Sequence, residues 1–399
     1  MTRKKLALII GGAVAALLVV GGAVFALTRS DSTKTAESEP TVSTTTTTAP
    51  LPVWPLTGVA DAKASGPAHP AIVVKMDNSP DARPQTGINE ADVVYELLVE
   101  GITRYALVFH SNLADPVGPV RSARSSDINL IADLSTPLFV WSGANAGVTG
   151  EVNAAARKGI LIDASNSAAA PAYYRSDDRQ SPHNLYVHLP QVLELKAPEK
   201  SENPAPIFNF RKAVTAGATA TTSSSTSTTS KKTESTTTTI APVTTTTTLP
   251  GALTPGFTLD FGGVAVDYVW NIATQGWSRL QVDQTHPRAK SPTLDTAGVQ
   301  VSPANVIVQF IDYGQSPSDS RSPMALTVGS GKVLVFTDGR VIAGTWSRPT
   351  ADKPTTYTAT DGSPILLTPG RTWVALPRIG SAISLLDQAT ADSYLAIKG

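Results

Sequence analysis

The chain opens with an unbroken apolar run. From Leu6 to Leu27 no residue carries a charge, and Arg3, Lys4 and Lys5 stand just before it. As a helix these 22 residues would extend roughly 33 Å, at about 1.5 Å per residue. That length crosses the hydrocarbon core of a bilayer. The basic residues ahead of it put the N-terminus on the cytoplasmic side and the bulk of the chain outside. A cleaved signal peptide, with Val24 and Ala26 as small residues before the cut, is the alternative. Its apolar region ordinarily runs to about 7–15 residues, shorter than this one.

Two polar, low-complexity tracts follow. Residues 29–53 form a Ser/Thr-rich spacer, and residues 215–250 hold 17 Thr and 6 Ser in 36 positions. Such segments bury too little apolar surface to offset the entropy of ordering them, which predicts a disordered linker. Ser/Thr tracts with proline are also the composition of O-glycosylated stalks. The pattern therefore divides the chain into an anchor or signal segment (1–28), a spacer (29–53), a folded region (54–213), a linker (214–250) and a second folded region (251–399).

Within the first folded region the periodicity alternates between strand and helix. The run AIVVKMD (71–77) predicts a buried strand. DVVYELLVEGITRYALVFHS (92–111) predicts a hairpin broken at Gly101, and TPLFVWSG a further strand. DINLIADL and VTGEVNAAARKG carry helical spacing, the latter closed by Gly159. This mixture predicts an α/β or α+β domain built on one sheet. Beyond the linker, short apolar runs separated by DG, PG and SG predict a β-rich C-terminal domain of antiparallel sandwich or barrel type. GSGKV (329–333) lacks the first glycine and the Ser/Thr of a phosphate loop and is read as a hairpin turn. For the last stretch, SAISLLDQATADSYLAI, a helix and a closing strand both remain open.

Composition adds mostly exclusions. Lys+Arg and Asp+Glu both number 32, so no global field recruits nucleic acid. The chain has no cysteine, which excludes thiol chemistry and leaves core burial, without disulfides, to hold an extracytoplasmic fold. The serine elbow G-x-S-x-G, the S-x-x-K of penicillin-binding enzymes and H-E-x-x-H are all missing. His183 and His188 are five apart, which fits no common zinc spacing. No metal or cofactor is expected.

The candidate chemistry lies in four loops. Asp77, Asn78 and Arg83 follow the first strand, where ligands tend to sit in open α/β sheets; capping of the loop backbone is the alternative. Glu96, Glu100 and Arg104 recur at spacings of four, which puts both carboxylates on one face of a strand or a helix. Such a pair suits the acid and base of glycoside hydrolysis, or ion pairing with arginines. In GPVRSARSSD, Arg121 and Arg124 offer planar forks to an anion, with Glu96, Glu100 or Asp127 as internal alternatives. SPHNLY supplies His183 as a possible general base or donor, beside Asn184.

These motifs resemble those of the YerB-like bacterial lipoprotein family. PLTG (55–58), MDNSPDARPQTG (76–87), ADVVYELLVEGITR, GPVRSAR and SPHNLY occur in the family's order, followed by NVIVQF, FTDGRVIAGTW and GRTWVALP. The resemblance implies an extracytoplasmic, membrane-attached protein without an assigned activity. It further implies one polar cleft lined by Asp77, Asn78, Arg83, Glu96, Glu100, Arg104, Arg121, Arg124, His183 and Asn184. Lipoprotein members are held by a lipidated cysteine, whereas this chain has none and presents Leu6 to Leu27 instead. The expected ligand is polar or anionic, a wall glycan or peptide fragment. The alternatives are a glycan hydrolase using Glu96 and Glu100 with His183 assisting, and a scaffold for another envelope protein.

Overall fold

Branched apolar residues in short runs, stopped by Gly, Pro and Asp, form the strands of this protein. A computed structural model describes residues 52–61, 68–212, 249–282 and 290–398. The apolar segment 6–27, the Thr-rich residues 214–248 and most of the spacer 29–53 lie outside the described residues. Among the described residues no helix is long and apolar enough to cross a membrane.

In the first region, β1 (Ile72–Met76), β2 (Val93–Val99), β3 (Ile102–Phe109), β4 (Leu138–Val140) and β5 (Ile162–Asp163) are the main strands. A small hairpin, β6 (Tyr173–Arg175) with β7 (Leu185–Val187), follows them. The helices are α1 (Ser125–Ile131), α2 (Ala146–Arg157) and α3 (Leu189–Lys196). Asn145 caps α2 by accepting the Val148 N–H at 2.9 Å, and Gly159 ends it at φ 72°.

The second region supplies β8 (Ala252–Leu253), β9 (Gly256–Asp260), β10 (Ala265–Asn271), β11 (Gly276–Val282) and β12 (Lys290–Pro292). Next come β13 (Asn305–Gln309), β14 (Tyr313–Gln315), β15 (Pro323–Ala325), β16 (Gly329–Thr337) and β17 (Arg340–Arg348). The chain closes with β18 (Thr356–Ala359), β19 (Thr372–Leu376), β20 (Ile383–Leu385) and α4 (Gln388–Leu395). The last stretch therefore makes both a strand and a helix.

The first region is mixed α/β and the second β-rich, and the two meet in one sheet. Its order is β18-β17-β16-β13-β19-β2-β3-β1-β4-β5, with β8 on β17. The join is the parallel pairing of β19 with β2, Trp373 opposite Val94 and Ala375 opposite Glu96. A second sheet, β12-β11-β10-β9-β20, packs on one face of the first through Phe257, Tyr268, Trp277, Phe336 and Trp373. On the other face, α1 and α2 cover Val73, Ala106 and Phe139 with Leu130, Val148 and Val152.

GSGKV is not the turn that its glycines suggest. It begins β16, and the turn lies at Asp338 and Gly339, which take φ 49° and 65°. Gly331 is needed inside the strand because the Trp346 indole crosses it. A Cβ there would stand 2.7 Å from Trp346 Nε1.

Candidate functional site

Side chains alternate across a strand, and this alternation splits the predicted site in two. Glu96 lies opposite Tyr105 and Leu97 opposite Arg104, so Glu96 and Arg104 occupy opposite faces of the sheet. Glu100 is in neither strand. It stands in the β2–β3 turn with φ 36°, beside Gly101 at 84°. The expectation that Glu96 and Glu100 share a face fails because β2 ends at Val99, one residue before the second carboxylate.

On the face toward the second sheet, Glu96 is fully buried. Its Oε1 accepts from the Thr103 hydroxyl and from Arg279 Nη2, each at 2.8 Å, and its Oε2 accepts from Trp373 Nε1 at 2.9 Å. Asn78 Nδ2 donates to Thr103 Oγ1 at 2.8 Å, and Arg83 Nε to Asn78 Oδ1 at 3.1 Å. Arg279 also donates to Tyr268 Oη, Gln281 Oε1 and Thr293 Oγ1. Its guanidinium lies 5.0 Å from the Trp373 ring centroid. Burial works against the Arg279 charge, but Glu96, Tyr105 and Tyr268 outweigh it and raise its pKa. A carboxylate with both oxygens engaged and no exposure has no route to a substrate, so Glu96 does not supply a hydrolytic acid or base. Asn78, Arg83, Glu96 and Arg279 form a lock between the two halves of the chain.

The helix-facing side carries the other cluster. Lys75 Nζ and Asp127 Oδ1 are 2.6 Å apart, both completely buried. Asp127 Oδ2 accepts the Arg124 backbone N–H at 2.7 Å, while Arg124 Nη2 reaches Glu100 Oε1 at 2.8 Å. Arg121 Nε lies 3.0 Å from Asp77 Oδ2, but its N–H does not point at that oxygen. Burial tends to raise the Asp77 pKa; the Ser79 N–H, Arg121 and His183 bring it below its ordinary value. Of the internal partners expected for the arginines, Glu100 and Asp127 hold Arg124; Arg121 takes Asp77 instead, and Glu96 takes Arg279.

Among the described residues Arg104 has no such partner. It is 5% exposed, and its Nε and Nη1 are buried without a hydrogen bond. Burial, then Arg124 and Arg121, lower its pKa to about 10, so it stays charged at neutral pH. The Lys75–Asp127 pair is neutral overall wherever its proton sits, and Arg121–Asp77 and Arg124–Glu100 also balance. One positive charge is left over, on Arg104. A cleft of about 540 Å³ at the N-terminus of α2 is lined by Glu100, Ser122, Arg124, Ala144, Asn145, Asp319 and Arg321; of the three arginines, only Arg124 belongs to its wall.

His183 joins this cluster through Asp77, with Nδ1 2.7 Å from Asp77 Oδ2. Ser79 Oγ lies 3.0 Å from the same ring nitrogen. A nucleophile–base–acid relay needs the hydroxyl on the opposite nitrogen, so Ser79 is not part of one. Asn184 stands apart. It accepts from Arg175 Nη1 at 2.7 Å and donates to Ser176 O at 3.1 Å, closing the loop ahead of β7. The ten candidate residues thus do not line one cleft.

Lys75, Arg279 and Trp373 were not singled out from the sequence. The usable signal was a lone cation inside an otherwise apolar strand, as in IVVKM and GWSRLQV, since such a charge is buried only when paired. Among the described residues no group of three or more His, Asp or Glu side chains is arranged to hold a metal ion.

The architecture and these motifs match a known class of sequence. Residues 56–203 match the N-terminal domain of the protein of unknown function DUF3048, and residues 257–374 its C-terminal domain. The chain is 36% identical over 136 residues to the putative lipoprotein YerB of Bacillus subtilis (strain 168). That match spans 33% of this chain and 39% of the relative. The crystal structure of the Bacillus subtilis YerB protein has the same fold, with a TM-score of 0.61 at 21% identity. It covers 83% of this chain and 99% of the solved one. The chain belongs to this YerB-like DUF3048 family.

Proposed function

We propose that this is a membrane-attached, extracytoplasmic envelope protein that binds an anionic ligand through Arg104, Arg121 and Arg124. The observation that carries the reading is the buried Arg104 guanidinium, without a carboxylate partner among the described residues and close enough to Arg121 and Arg124 to feel their charge. An unpaired buried charge costs several kcal/mol on the order given for desolvated ions. A fold keeps one where a ligand supplies the missing charge. The envelope address rests on the apolar stretch from Leu6 to Leu27, read as a single-pass anchor with the N-terminus inside, and on the lipoprotein relative. Residues 214–250 then serve as a disordered linker. A wall glycan or peptide fragment bearing an acidic group fits a cleft at the Arg124 rim.

The test is thermal unfolding of the wild type and Arg104→Met, with and without soluble wall fragments. At a ligand concentration 100 times Kd the wild type gains about 2.7 kcal/mol. The variant loses that gain, yet melts higher than the wild type without ligand because the lone charge is gone. Equal ligand-induced shifts in both proteins, or a lower melting point for the empty variant, would count against the reading.

A further inference from the structure

We infer that the notch where β2 and β19 part is a docking site for the carboxyl-terminal end of an extended peptide. This site is separate from the one proposed above, since Arg104, Arg121 and Arg124 are not in its wall.

β2 and β19 run parallel as far as Leu97 opposite Leu376. One residue further on, the Tyr313 hydroxyl stands between them. It accepts the Leu98 N–H at 3.0 Å and donates to Leu376 O at 2.6 Å. The chain after β19 then turns to Ile311, which bonds to Pro377 O and to the Ile379 N–H, each at 3.0 Å. Backbone groups alternate sides along an extended chain, so Arg378 points its own N–H and C=O away from Ile311. Leu98 likewise directs its C=O to the same side as its N–H. The result is a cleft of about 550 Å³, with Leu98, Val99, Glu100 and Gly101 on one side and Arg378 on the other. A strand edge of this kind is what an added peptide strand pairs with. The edge is short, because β2 ends at Val99, and Tyr313 closes one end of it. It therefore suits the last residues of a chain and not a passing segment.

Arg378 is exposed in this wall, and among the described residues it has no ion pair. Its guanidinium lies 4.7 Å from the Tyr313 ring centroid, which holds it at the closed end of the notch. The other charges at the cleft cancel: Glu100 is matched by Arg124 at 2.8 Å, and Arg321 by Asp319 at 3.8 Å. One positive charge is left, on Arg378, and a single carboxylate meets an arginine fork well. Ser322 is also in the wall, is 2% exposed, and its Oγ has no hydrogen-bond partner. A buried hydroxyl is ordinarily satisfied, and a peptide group or carboxylate oxygen in the cleft supplies what this one lacks. Gly101 and Gly262 are wall residues too, and a Cβ on either would meet nothing within 4 Å. The notch is thus open to a main chain beyond the β2–β3 turn, away from Tyr313.

The test is calorimetric titration of the detergent-solubilised full chain with N-acetyl-tetraalanine, its C-terminal amide, its backbone N-methylated analogue, and glucuronate. The free acid is expected to bind at least about tenfold tighter than the amide, because its carboxylate takes a charge-assisted hydrogen bond. N-methylation should weaken the acid by at least about tenfold, because it removes the donors that pair with the strand edge. Arg378→Gln should bring acid and amide to the same affinity, and Ser322→Ala should weaken the acid by about fivefold. Circular dichroism confirms that both variants are folded. If glucuronate binds as tightly as the free acid, or N-methylation has no effect, the notch takes a carboxylate without reading a main chain, and the peptide inference is overturned. It is also overturned if acid and amide bind the wild type equally, or if no peptide binds. An Arg378→Gln variant that still prefers the acid as the wild type does would mean that the peptide is held elsewhere, which overturns the assignment to this notch.

Discussion

Arg279→Met tests the lock between the two halves of the chain. Arg279 sits on β11, is completely buried, and is the only cation paired with Glu96 on β2 among the described residues. Methionine roughly keeps the volume and removes four donated hydrogen bonds, to Glu96, Tyr268, Gln281 and Thr293. Glu96 would then keep only the Thr103 hydroxyl and the Trp373 N–H. Removing one partner of a buried pair costs about 3–5 kcal/mol, because the other charge stays buried without its match. About 300 residues are described, and unfolding entropy is about 2.1 cal/mol/K per residue. The melting temperature should therefore fall by about 5–8 °C. Urea unfolding followed by tryptophan fluorescence reads the same loss, since Trp373 and Trp277 are at the junction. The double substitution Glu96→Leu with Arg279→Met should cost less than Arg279→Met alone, since no charge is then stranded. A loss under about 1 kcal/mol, or strictly additive single effects, would refute the argument.

Further outcomes follow from the same geometry. A protease site placed between Lys212 and Pro250, once cut, should leave two fragments that co-elute on gel filtration, because β19 pairs with β2 across the halves; separate elution would contradict the shared sheet. Burial pushes the Asp133 carboxyl up to about 6, although Arg348 Nη2 lies 3.3 Å away. The native state then binds the Asp133 proton more tightly than the unfolded chain does, so this contribution is fully present below pH 4 and is lost as pH rises through 6. The loss is about 3 kcal/mol at about 1.36 kcal/mol per pKa unit. Asp133→Asn should therefore stabilise at pH 7.5 and match the wild type near pH 4; a constant difference across that range would exclude this cause. Gly118→Ala should cost about 1–3 kcal/mol in chemical denaturation, since its Cβ would stand 2.5 Å from Tyr186 Cδ1 and 2.9 Å from Leu185 O. Unchanged stability would mean that β7 can move away.

Elements set by their own residues were readable in advance. The apolar run in IVVKM, the Gly101 break and the helical spacing before Gly159 each correspond to an element in place. What periodicity cannot carry is the identity of a strand's partner. Glu96 and Trp373 are 277 positions apart, and nothing in either run says that β19 lies parallel to β2. The same limit scattered the candidate site. Glu96 and Arg104 both belong to family motifs, yet adjacent strands in register send them to opposite faces. Glu100 was lost to the Glu96 face because a strand boundary moved by one residue reverses or removes a side chain's direction. Arg121 and Arg124 were rightly suspected of meeting carboxylates, and their motif does border a cleft. Arg104 was expected both as a counterion to Glu96 and Glu100 and as part of the cleft lining; among the described residues it pairs with neither carboxylate.

The most direct measurement is a crystal structure of the chain grown with soluble acidic wall fragments. Ordered density for the fragment's acidic group within hydrogen-bonding distance of Arg104, with Arg121 and Arg124 nearby, is the predicted result. An Arg104 guanidinium surrounded only by water, or turned to pair with Asp77 or Glu100, would contradict the claim that this charge is kept for a ligand.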